Sequence, residues 1–118
     1  MMRDALAPGL AAALLVACTT SPPPDTPVAR LRADLQALKA FPSAPISRPC
    51  SNALQELTAT MNAVTALRQS GKPIDPVTGD VLQSDQSEAE TACHPDAVRV
   101  CQAPDSPAAM EVCRHVKR

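Results

Sequence analysis

Beyond residue 49 the chain places four cysteines, at positions 50, 93, 101 and 113, in a stretch that holds no aromatic residue. Phe41 is the only aromatic residue of the 118, and Trp and Tyr are absent. A core made mainly of Ala, Val and Leu buries less area per side chain than one with aromatics. A chain of this length makes one small domain, and small domains are marginal to begin with. Cross-links therefore have to supply part of what burial does not. Thirteen prolines against three glycines predict turns that are stiff.

A fifth cysteine, Cys18, stands apart at the end of an apolar run. Residues 5–17 read ALAPGLAAALLVA, thirteen positions without a charge. A membrane-spanning helix needs about 20 apolar residues, and Pro8-Gly9 breaks this run. Its length fits the apolar region of a secretory signal, although the basic segment before it is weak, with Arg3 offset by Asp4. The four residues Leu15-Val16-Ala17-Cys18 resemble the lipobox of bacterial lipoprotein precursors. That resemblance implies cleavage between Ala17 and Cys18, diacylglycerol on the Cys18 thiol through a thioether, and an acyl chain such as palmitate on the new amino group. Thr19, not Asp, follows Cys18, which in diderm bacteria resembles the pattern of lipoproteins sent to the outer membrane. More than one acyl chain is what makes such an anchor stable, at about 0.8 kcal/mol per buried methylene. The expected organisation is a signal peptide at 1–17, a lipidated proline-rich tether at 18–27, and a disulfide-stabilised helical domain at 28–118. The tether reads CTTSPPPDTP, and its three consecutive prolines favour polyproline II, about 3.1 Å per residue. It holds the domain off the membrane, or alternatively serves as a proline-motif ligand.

The domain reads as all-α, with three to four short helices and room for one short β-hairpin. In residues 28–41, Val28, Leu31, Leu35, Leu38 and Phe41 recur at steps of 3, 4, 3 and 3, one helix face, and Pro42 and Pro45 end it. Arg30, Arg32, Asp34 and Lys39 fall mostly on other faces. This helix either faces the core or docks on another protein near the membrane. In residues 51–70, Ser51 or Asn52 caps the start and Gly71 ends the helix. Cys50, Leu54, Leu57, Met61, Val64 and Leu67 form its stripe, and Ala53, Ala63 and Ala66 would let another helix approach. Residues 75–79, DPVTG, suit a type I turn, so that Ile74 and Val81 could flank a hairpin. Residues 84–94 begin as a helix that His94-Pro95 interrupts, and a restart is expected through Gln102. A last helix follows Ser106 as cap, with Pro107 in its first position. Ala109, Val112, Cys113 and Val116 line its inner face, and Arg114, Lys117 and Arg118 suit its negative end.

With Cys18 lipidated, an even four cysteines remain in an oxidising compartment, and two disulfides are expected. Three connectivities are open. Cys50 and Cys101 lie 25 and 26 residues either side of Asp75, and Cys93 and Cys113 lie ten either side of Ala103. That symmetry favours Cys50–Cys101 with Cys93–Cys113, and the runner-up is Cys50–Cys93 with Cys101–Cys113. His94 and His115 stand near Cys93 and Cys113, which raises a metal site. The Cys-x7-Cys-x11-Cys spacing lacks the paired knuckle of zinc sites, and no metal or other cofactor is expected. Asp75, Asp80 and Asp85 lack the spacing and closing Glu of a calcium loop and read as turn and capping residues.

Function is less legible. The net charge of −1, with signs mixed, argues against nucleic acid as partner. No nucleophile elbow, phosphate loop or helical histidine metal motif points to an enzyme, and a Cys-His catalytic pair competes with disulfide formation for its thiol. The expectation is an outer-membrane lipoprotein that faces the periplasm and acts by binding protein, as an accessory or assembly factor of an envelope system. In length, lipidation and stapled helices it resembles secretin pilotins. One alternative is an immunity or exclusion lipoprotein that neutralises a toxin or transfer apparatus. Another is a phage-type outer-membrane spanin subunit, which the proline-rich start after the lipobox resembles.

Overall fold

The computed structural model describes residues 26–117. The expected signal peptide, Ala17, Cys18 and most of the tether lie outside the described residues. Four helices follow in order: α1 (Pro27–Lys39), α2 (Arg48–Gln69), α3 (Pro76–Val100) and α4 (Pro107–Cys113). The domain is all-α, stapled by two disulfides.

Each helix opens the same way. Thr26, Ser47, Asp75 and Ser106 are the N-caps, each accepting from a backbone N–H three residues on, and a proline occupies the first or second helical position. Proline costs nothing there, because its missing N–H would have no intrahelical partner. This device accounts for Pro27, Pro49, Pro76 and Pro107, and it moves two starts. α2 begins four residues before the expected cap, on Ser47 and not on Ser51 or Asn52. Asp75-Pro76 starts a helix where a turn was expected, so residues 76–83 are helical and no strand occurs among the described residues. The β-hairpin flanked by Ile74 and Val81 does not form.

α2 and α3 are an antiparallel pair joined by a Schellman turn. Gly71 adopts φ 70°, its N–H bonds Arg68 O at 3.0 Å, and Lys72 N–H bonds Leu67 O at 2.9 Å. These bonds satisfy carbonyls that the helix end leaves open. Cross-connections between the two helices are centred on this turn. Ser47 meets Asp96, Cys50 meets Cys93, and Thr60 meets Asp85. The symmetry point is therefore Gly71-Lys72, not Asp75, and that shift corrects the disulfides. Cys50 bonds Cys93, and Cys101 bonds Cys113; the favoured Cys50–Cys101 and Cys93–Cys113 pairs are not made.

α3 also runs through His94-Pro95 without the expected interruption. Proline inside a helix costs about 3 kcal/mol. Tertiary bonds on both sides hold the segment: Cys93 to Cys50, His94 to Asp34, and Asp96 to Ser47. The Pro95 ring lies on the exposed side.

α3 is the central element. α1 and α2 both pack on it, while α1 and α2 make no close main-chain approach to each other. Arg30 faces Glu90 and Asp34 faces His94, so α1 runs parallel to α3. One core cluster joins Ala37, Leu38, Ala97 and Val116 around the buried cysteines, with Phe41 packed against it. A second joins Leu31, Ala53, Leu57 and Ala89. α4 is only seven residues long and is held through the Cys101–Cys113 bridge and the buried Ala109. Among the described residues no helix is long and apolar enough to cross a membrane.

Candidate functional site

Burial of charge is costly unless the charge is paired. Two carboxylates are essentially removed from solvent, Asp34 at 1% and Asp96 at 2% exposure. Asp96 is a fastener. It accepts from Ser47 N–H at 2.9 Å, Ser47 Oγ at 2.8 Å and Arg99 Nη1 at 2.8 Å, and Arg99 Nη2 also reaches Pro45 O at 2.9 Å. Burial is the largest single influence on its acidity and acts upward. The Ser47 donors and the Arg99 guanidinium together outweigh it and hold the carboxyl below its ordinary value.

Asp34 is different. His94 Nδ1 lies 3.1 Å from each of its oxygens, and no backbone N–H or hydroxyl among the described residues supports it. Burial, the largest influence, raises its pKa above the ordinary carboxylate value, and nearby Glu90 adds to the rise; His94 and Arg30 oppose it incompletely. Arg30 Nε lies 3.3 Å from Glu90 Oε1, an ion-pair contact without hydrogen-bond alignment. Arg30 and Asp34 are one turn apart on α1, as Glu90 and His94 are on α3, so two polar pairs join the parallel helices. A cleft of about 170 Å³ opens beside them, with His115 and Lys117 on its far side.

Asp34, Glu90 and His94 bring their donor atoms within 4.8 Å of one another, close enough to hold a cation. The Arg30 guanidinium already sits against Glu90 and supplies the positive charge there. The residues read from sequence as metal or nucleophile candidates do not gather with one another; His94 and Asp85 each lie instead beside two acidic residues. All four described cysteines are in disulfides, so no thiol among them is available as nucleophile or metal ligand. His115 lies 3.8 Å from Glu111, whose other oxygen takes Arg114 at 3.0 Å. Asp75 caps α3, and its bonds from Thr78 hold its carboxyl below the ordinary value. Asp85 accepts from Thr60 on α2. The periodicity of α1 had placed Asp34 mostly outside the apolar face. Its steps from Leu31 and to Leu38 are 3 and 4, which is the signal that it belongs inside.

The second feature is apolar. Because α1 and α2 rest on α3 side by side, a groove of about 330 Å³ is left between them. Leu31, Leu35 and Leu57 line its floor, with Val28 and Met61 higher on the walls. Val28 and Met61 both fall on the apolar stripes of their helices, yet they are 40% and 52% exposed. Periodicity assigns both to a core; the fold leaves both facing solvent in one groove. Gln36, Gln86, Arg32 and Lys39 complete the lining, and no acidic residue does.

No protein-family model, curated protein or solved structure matches the chain.

Proposed function

We propose that this chain is a lipid-anchored lipoprotein of the outer membrane, facing the periplasm, that acts by binding protein as an accessory or assembly factor of an envelope system. The observation that carries the binding part is the apolar groove between α1 and α2, where stripe residues Val28 and Met61 stay exposed. Exposed apolar surface set within a polar rim is characteristic of interaction sites. The anchoring part rests on Leu15-Val16-Ala17-Cys18 and the proline-rich segment after it. Two buried or half-buried disulfides suit an oxidising compartment. The proline-rich tether would end where α1 begins, and Val28 near the start of that helix also lines the groove.

The experiment pairs metabolic labelling with fractionation. Cells expressing the full chain should incorporate labelled palmitate into it, and it should sediment with outer membranes. Cys18→Ser should lose both label and attachment. A Cys18→Ser chain that still fractionates with membranes removes the anchoring reading.

A further inference from the structure

The groove also carries a signature of what fills it. It runs along three turns of α1, from Val28 to Lys39, which is about 16 Å of helix. Its two walls are antiparallel helices on a common floor, the geometry in which one further helix completes a four-helix arrangement. Arg32 and Lys39 stand on the α1 rim, seven residues and therefore about 10 Å apart. Both are exposed, and neither has a hydrogen-bond or ion-pair partner among the described residues. Met61 adds an adaptable thioether to the opposite wall.

We infer that the groove takes an amphipathic helix of a partner protein, about three turns long, whose apolar stripe covers Val28, Leu35 and Met61 and whose flank carries carboxylates seven residues apart, opposite Arg32 and Lys39. This deepens the binding reading given above and is independent of lipidation. The recessed shape selects a helix over a flat bilayer surface, and the rim charge selects an acidic flank over a basic one.

The test uses the chain from position 18 onward with Cys18→Ser and both disulfides formed. Two synthetic peptides with the same leucine stripe serve as probes, one with glutamates and one with lysines seven residues apart on the flanks. Fluorescence anisotropy reads binding. The glutamate peptide should bind at least tenfold tighter than the lysine peptide. R32E/K39E should invert that order, and M61D should abolish binding of both, with helicity unchanged because all three positions are exposed. Equal binding of both peptides, or indifference to R32E/K39E, overturns the charge assignment. Three further results overturn the helix assignment: no peptide binding, dimerisation of the chain that M61D abolishes, or binding only to phosphatidylglycerol vesicles. A chain that binds the glutamate peptide yet is never lipidated would leave this inference standing and remove only the anchor.

Discussion

The two disulfides should differ in weight, and the topology says by how much. Cys50–Cys93 closes a sequence separation of 43 residues and Cys101–Cys113 one of 12. On the chain-entropy account these closures restrict the unfolded chain by about 4 and about 3 kcal/mol respectively. The locations widen the difference. Cys50 and Cys93 are both wholly buried and tie the two longest helices together inside the main core cluster. Cys101 and Cys113 instead hold α4, which at seven residues cannot persist alone. Urea unfolding of C50A/C93A should therefore show a global loss of about 4 kcal/mol or more, with a steeper dependence on urea as the unfolded chain expands. C101A/C113A should lose about 3 kcal/mol or less, and limited proteolysis should first cut within residues 102–117. If C101A/C113A costs as much as C50A/C93A, or if peptide mapping of the native protein recovers Cys50 joined to Cys101, the pairing and the argument from it are wrong.

Four other substitutions probe buried charge and backbone conformation. Asp96→Ala should cost about 3 kcal/mol in chemical unfolding, because a buried carboxylate accepting from Ser47 and Arg99 is lost and those donors are left over; below the ordinary carboxylate range the wild type should itself lose Asp96's contribution, since its folded pKa is lowered. Asp34 acts in the opposite sense: its folded value is raised from 3.8, so its contribution is full below 3.8 and is lost as pH rises through the raised value. Asp34→Asn should accordingly make stability less sensitive to pH across that window, read from thermal melts at successive pH values. Gly71→Ala should destabilise by about 1 kcal/mol, because φ 70° is strained for a side chain although nothing obstructs the new Cβ. Gly79→Ala, helical and equally open, should stabilise by about 0.5–1 kcal/mol; equal effects of the two substitutions would refute the backbone argument.

The helical class, the presence of α1, the end of α2 at Gly71, and α4 with Ser106 and Pro107 were legible from local pattern. Local pattern does not decide the start of α3, because Asp75-Pro76-Val77-Thr78-Gly79 satisfies a type I turn and a helix N-terminus equally well. The repeated cap-then-proline device at Thr26, Ser47, Asp75 and Ser106 could have decided it. The expected break at His94-Pro95 followed from local cost alone. The disulfide, Asp34 and Ser47 hold both sides of that proline, and none of them is near in sequence.

The candidate sites divide in the same manner. The apolar stripes containing Val28 and Met61 were visible as stripes, and docking by the first helix was an open expectation. That both residues stay exposed in one groove depends on α1 and α2 lying side by side on α3, which no local window contains. The buried pair Asp34–His94 spans 60 residues, and nothing adjacent to either residue announces the other.

By itself the sequence determined an all-α domain, its need for two cross-links, and the cysteines that make them. Those are local or compositional properties: propensity, capping, periodicity, and the shortage of aromatic bulk. Which cysteine meets which, which carboxylates are buried, and which apolar residues remain uncovered were decided only by tertiary structure. They depend on where the α2–α3 turn is centred and on which helix the other two choose to pack against. A shift of that centre by a few residues re-pairs every contact along two long helices at once.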